Sequence, residues 1–181
     1  MPDQLRIFIA EDNHADVLLL EEVMFSQGIE ARIQVANNGE AAVAALEEMT
    51  AADAPGLLVI DLNLPRIDGM ELLQQVRSSA KFERTPVMIL TSSQSAEDRL
   101  RAETLGANAF VSKPLTLPEY LATVGAAVRS LIGEPRRPGV SGGVRRRRRR
   151  RLPLPPDRRR RFRRYALRSG GSVRVRQRAG F

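Results

Sequence analysis

The chain has 181 residues, with 29 Lys plus Arg against 21 Asp plus Glu, no cysteine, no tryptophan and a single histidine, His14. Disulfides, thiolate zinc sites, cysteine nucleophiles and multi-histidine metal centres are excluded, which leaves carboxylates and hydroxyls to carry any chemistry. The net charge of +8 sums two unlike parts: residues 1–132 hold 10 basic and 19 acidic side chains, and residues 133–181 hold 19 Arg with only Glu134 and Asp157.

In chain order, LRIFIA from Leu5 reads as a first strand, and the helix after it opens with Asn13 and, three residues on, Asp16. ARIQV from Ala31 is the second strand, followed by a helix opened by Asn37 and Glu40. LLVID from Leu57 is the third, with Asp68 and Glu71 at its helix start. VMILT from Val87 is the fourth, with Ser95 and Asp98, and AFVS from Ala109 is the fifth, with Thr116 and Glu119. A short polar residue followed three positions later by an acid is the signature of a capped helix start. The last helix carries its apolar stripe on Leu117, Leu121, Val124, Val128 and Leu131. Nearly continuous apolar strands imply burial on both faces, and strict alternation with helices implies a parallel sheet. The fold class expected is a doubly wound α/β domain.

Ligands of such sheets gather beyond the carboxyl ends of the strands, where the winding direction reverses. Four of the five strand ends are chemically loaded: Glu11 and Asp12 after the first, Asp61 at the third, Thr91 and Ser92 at the fourth, Lys113 and Pro114 after the fifth. Convergent carboxylates repel one another unless a hard divalent cation binds them, and oxygen ligands of this kind suit Mg²⁺. A lysine and a hydroxyl beside a metal and a carboxylate are the parts needed to hold a phosphoryl group while Asp61 attacks it. Singly, each residue has a plainer reading: Asp61 as a loop acid, Glu11 and Asp12 as a solvated cap, Thr91 as a strand residue, Phe110 as core, Lys113 as a surface charge. His14 reads as a solvated residue in a first helical turn.

Across about residues 5–131 the chain resembles the receiver domain of two-component response regulators, on EDN after the first strand, DLNLPRIDG at the third, LTSS at the fourth and VSKP after the fifth. EDNHAD, DLNLP and LGANAFVSKP look most like single-domain regulators serving bacterial phytochromes and related sensor kinases. The resemblance implies a flavodoxin-like (βα)5 sheet of order 2-1-3-4-5, with Asp61 as phosphoacceptor and Glu11, Asp12, Asp61 and the backbone carbonyl of Asn63 holding Mg²⁺. It implies Lys113 on the phosphoryl group, Thr91 and Phe110 as switch residues, Asn63 and Ser93 tuning hydrolysis, and a cis bond before Pro114. The implied partners are a sensor histidine kinase, a phytochrome among the candidates, an unknown downstream protein, and a second copy of the chain. The last helix departs from the pattern, since VRSLIGEP lacks the aromatic residues associated with dimerisation there.

The alternatives are a Mg²⁺-dependent phosphatase of the haloacid dehalogenase type, whose nucleophile would follow the first strand, and a receiver-like module that binds a partner without phosphorylation. A flavin site is disfavoured by the acidic first loop, where a cofactor phosphate would need donors. Residues 1–132 are expected to form the receiver and residues 133–181 a disordered tail without an output domain, as Arg runs with no apolar period cannot offset ordering entropy. The tail suits nucleic acid or an anionic surface, with Phe162, Tyr165 and Phe181 available to stack on bases. It equally suits an unselected or frameshifted reading of GC-rich DNA. No apolar run approaches the roughly 20 residues of a membrane span, and MPDQLRIFIAED lacks signal-peptide features, so a cytoplasmic location is expected.

Overall fold

Runs dominated by Ile, Val, Leu and Phe form strands because branched and aromatic side chains suit a pleated, buried surface. The computed structural model describes residues 4–133. Its elements are β1 (Leu5–Ala10), α1 (His14–Ser26), β2 (Ala31–Ala36), α2 (Gly39–Glu48), β3 (Leu57–Ile60), α3 (Gly69–Ser78), β4 (Val87–Thr91), α4 (Ala96–Thr104), β5 (Ala109–Ser112) and α5 (Leu117–Ile132). The strands pair in parallel in the order β2-β1-β3-β4-β5, the expected doubly wound sheet. The Arg-rich stretch and the tail expectations attached to it lie outside the described residues. Among those described, no helix is long and apolar enough to cross a membrane.

Side chains alternate across each strand, so the sheet feeds two cores. Phe8, Ala10, Leu58, Ile60, Val87, Ile89 and Phe110 meet Leu46 of α2, Leu72, Leu73 and Val76 of α3, and Ala102 of α4. Ile7, Ile9, Leu57, Val59, Met88 and Leu90 meet Val17, Leu20, Val23 and Met24 of α1 and Tyr120, Val124 and Val128 of α5. β3 and β4 are buried throughout, as their apolar runs require. β2 departs from that expectation: it is an edge strand in which only Ala36 is buried, and Val35 is exposed. The stripe of α5 also differs, since Tyr120 is buried while Leu117 stands 51% exposed at the helix start.

Three helix caps correct the sequence reading by a residue or a partner. The Asn13 side chain accepts from Ala15 N, not from Asp16. α2 is capped by Asn38, which accepts from Ala41 N, in place of Asn37 with Glu40. The hydroxyl of Thr116 donates to the Glu119 carboxylate at 2.9 Å and bonds no backbone N–H. Two asparagines in sequence offer the cap in either register, and Asn38 takes it. Asp68 and Ser95 cap as expected, accepting from Glu71 N and Asp98 N.

Two long cations tie the ends of the elements together. Lys81 donates to the carbonyls of Leu46, Glu47 and Met49, closing the C-terminus of α2, where free carbonyls and the helix dipole favour a positive charge. Arg77 at the end of α3 donates to the carbonyls of Phe82, Thr85 and Gly106 and to Asn108 Oδ1, which also accepts from Val87 N at the start of β4. One guanidinium thus joins α3, the turn before β4 and the loop before β5. Arg77→Ala leaves the partly buried Thr85 carbonyl unpaired and is expected to lower stability by about 1–3 kcal/mol, with Arg77→Lys recovering only a part because an ammonium lacks the planar fork. Urea denaturation followed by circular dichroism checks both.

Candidate functional site

The sheet winds one way from β1 to β2 and the other way from β1 to β3, which opens a crevice above β1 and β3. Ala10 and Ile60 stand in register, and Asp61 N donates to the Ala10 carbonyl at 3.0 Å. The residues one step beyond the two strands, Glu11 and Asp61, therefore emerge side by side. Lys113 N donates to the Thr91 carbonyl at 2.7 Å, which brings the segment after β5 to the same rim.

There the Lys113 ammonium donates to Glu11 Oε2, Asp16 Oδ2 and Asp61 Oδ2, each at 2.8 Å. Glu11 is 3% and Asp61 5% exposed, so the cluster is removed from bulk water. Burial pushes the Glu11 carboxyl above the ordinary range, against the opposing pull of Lys113. Burial alone would lower the Lys113 pKa, but hydrogen bonds to Asp16, Asp61 and Glu11 outweigh it and hold the ammonium charged well above its usual range. Asp16 is the residue that sequence reasoning missed, having read it only as the partner of a helix cap. The signal was its place one helical turn beyond Asp12, which aims an acid from the first turn of α1 back over the crevice.

Glu11, Asp12 and Asp61 each offer a carboxylate oxygen, all within 4.8 Å of one another. Hard oxygen donors at that spacing, one of them exposed Asp12, fit a hexacoordinate divalent cation that keeps several waters. Asn63 is held beside them, its N–H donating to Asp61 Oδ1 at 3.1 Å and its side-chain amide to Ser92 Oγ at 3.2 Å.

Thr91 ends β4 fully buried, and its Oγ1 accepts from Ser93 N at 3.3 Å. Ser93 Oγ donates to the Asp98 carboxylate of α4, and the Ser93 carbonyl accepts from Ser112 Oγ. Phe110 is 7% exposed and belongs to the core on the α3 side. Arg99 of α4 covers it, with the guanidinium 4.7 Å from the ring centroid and one N–H on the Phe110 carbonyl at 3.0 Å. His14 is exposed at the first position of α1, as read from the sequence. The cis bond expected before Pro114 is corrected: no peptide bond among the described residues is cis.

The loop from β3 to α3 is tightly built. The Pro65 carbonyl accepts from Ile67 N and from Gly39 N, and Arg66 between Pro65 and Ile67 adopts φ 75°. That is a γ-turn, with a left-handed backbone uncommon for a residue bearing a side chain. Gly69 then packs α3 against the segment that bears Asp61: a Cβ there would lie 2.1 Å from the Asp61 carbonyl oxygen and 2.7 Å from Leu62 Cα. Gly69→Ala is therefore expected to cost about 2–3 kcal/mol, since backbone must yield. It should also shift the amide resonances of Asp61 and Leu62, and thermal denaturation with NMR checks both.

A family model described as the response regulator receiver domain matches residues 7–125. The chain is 32% identical over 139 residues to the probable methanogenesis regulatory protein FilR2 of Methanothrix harundinacea, covering 76% of this chain and 90% of that one. It is 31% identical over 121 residues to the response regulator Rcp1 of Synechocystis, 65% and 82% of the two chains. The Mn²⁺-bound structure of Rcp1 superposes with a TM-score of 0.65 at 28% identity, over 75% of this chain and 99% of that one. The phosphorylated cyanobacterial phytochrome response regulator RcpA does so with a TM-score of 0.66 at 29% identity, over the same shares.

Proposed function

We propose, since the chain belongs to the response regulator receiver family of two-component systems, that Asp61 accepts a phosphoryl group from a sensor histidine kinase and thereby switches a partner-binding face. The observation that carries this reading is the buried pairing of Lys113 with Asp61, beside the oxygens of Glu11 and Asp12.

A carboxylate oxygen of Asp61 attacks phosphorus in line, forming the O–P bond as the P–N bond of phosphohistidine breaks, and the electron pair leaves with the imidazole. Lys113 meets a phosphoryl oxygen and offsets its charge. A Mg²⁺ held by Glu11, Asp12, Asp61 and the Asn63 carbonyl would supply the remaining charge neutralisation. The Thr91 hydroxyl turns to the new acceptor oxygens, and Phe110 follows it, so that the added charge biases α4 and β5. Water later attacks phosphorus and releases inorganic phosphate, a rate that Asn63 and Ser93 would tune. The chain acts on its own aspartate and turns over no separate substrate.

The likeness to RcpA, a phytochrome response regulator, supports a phytochrome-type kinase as the donor, acting in the cytoplasm. Residues 1–132 form the receiver in this reading. Residues 133–181 add Arg charge suited to nucleic acid or an anionic surface. A haloacid-dehalogenase-like phosphatase has no support, because the acceptor candidate follows β3 and not β1. A phosphorylation-independent module has none either, as every site residue is present.

Acetyl phosphate with Mg²⁺ is expected to give a single phosphoryl adduct by intact mass, lost without Mg²⁺ and in Asp61→Asn. A folded, cation-binding sample that acquires no adduct overturns the reading.

A further inference from the structure

We infer that Asp16 is a positioning residue for Lys113 in phosphoryl transfer, an inference that rests on Asp61 being the acceptor. An ammonium has three N–H donors, and here each meets a different carboxylate, Glu11, Asp16 and Asp61, at 2.8 Å. The three partners are not equivalent. Glu11 and Asp61 belong with Asp12 to the oxygen cluster that a divalent cation would draw on, and Asp16 does not. A cation entering that cluster competes with Lys113 for two of its partners, and an arriving phosphoryl oxygen needs the N–H groups so released. Asp16 is the partner that neither event displaces.

The bond also spans elements. Asp16 lies in the first turn of α1 and Lys113 follows β5, so their contact crosses the crevice between α1 and the segment that leads into α5. Side-chain exposures of 12% for Lys113 and 20% for Asp16 place the pair where solvent screening is reduced. Lys113 carries its charge on a flexible four-carbon stem. Fixing that head beside the acceptor before the donor arrives removes orientational freedom from the transfer step.

Tyr120 describes the ground behind the pair. It is 2% exposed in the core that joins α1 to α5, and its hydroxyl is the buried side-chain polar atom without a hydrogen-bond partner among the described residues. Burial, and then the negative charge of Asp16, push its pKa up, so the phenol stays neutral. Asp16 thus has an uncharged, buried side chain on this flank. In such surroundings the attraction between Lys113 and Asp16 is stronger than at an open surface.

The test uses the full chain, Mg²⁺ and acetyl phosphate, in which the P–O bond of the acyl phosphate breaks, acetate leaves with the electron pair and the Asp61 O–P bond forms. Intact mass gives the rate constant, and titration calorimetry gives Mg²⁺ affinity. Asp16→Asn is expected to lower the rate constant about tenfold, the loss of one charge-assisted hydrogen bond in the transfer step, with Mg²⁺ affinity held within about twofold. Asp16→Glu, which keeps the charge, is expected to restore part of the rate; were the Asn variant unfolded by circular dichroism, Asp16→Ser is judged by the same criterion. An unchanged or raised rate overturns the inference, and so does a parallel loss of Mg²⁺ affinity, which would place Asp16 in the metal site. Absence of any adduct on the unsubstituted chain is a separate result that removes the acceptor reading itself.

Discussion

A single ammonium set among carboxylates governs this molecule. Lys113 meets Glu11, Asp16 and Asp61 at once, and without it Glu11 and Asp61 would face each other nearly buried and unpaired. Isolated buried charges of one sign cost several kcal/mol each, so the crevice depends on the cation that the segment after β5 delivers. The pairing of β5 with β4, continued by Lys113 N on the Thr91 carbonyl, brings the lysine to the rim where β1 and β3 end.

The scaffold around the crevice closes tightly on the segment that bears Asp61. Gly69 lets α3 approach the Asp61 carbonyl closer than any side chain would allow, and the γ-turn at Arg66 folds the loop back on Gly39 of α2. On the other flank, Arg99 joins α4 to the Phe110 carbonyl of β5, Ser93 joins the end of β4 to Asp98 of α4, and Ser112 of β5 bonds the Ser93 carbonyl, all three partly buried.

Much of this was legible in the residues. The strand order followed from the resemblance, and the alternation of strands with capped helices located every element, because Ile, Val and Leu runs and Asn, Asp and Ser caps act locally. Glu11, Asp12, Asp61, Thr91 and Lys113 were legible as a group because each falls at a strand end, a position the chain order exposes. Asp16 was not, since its partner is nearly a hundred residues away and its local pattern also fits a helix start. The register of the α2 cap was hidden because Asn37 and Asn38 are chemically equal and adjacent, so either could serve, and Asn38 does. Tyr120 takes the place expected of Leu117 in the buried stripe: Leu117 is the first residue of the helix and stands half exposed, whereas Tyr120, one turn on, joins the core shared with α1.

The edge position of β2 has a consequence for life in a crowded solution. An unpaired strand edge is a template on which another chain can add, and long apolar edges invite aggregation. β2 answers with Arg32 and Gln34 exposed along its length and Glu30 exposed just before it. Charged and strongly hydrated side chains along a free edge oppose the addition of an apolar strand there. Colloidal stability is thereby written into the one strand of the sheet that the core could spare.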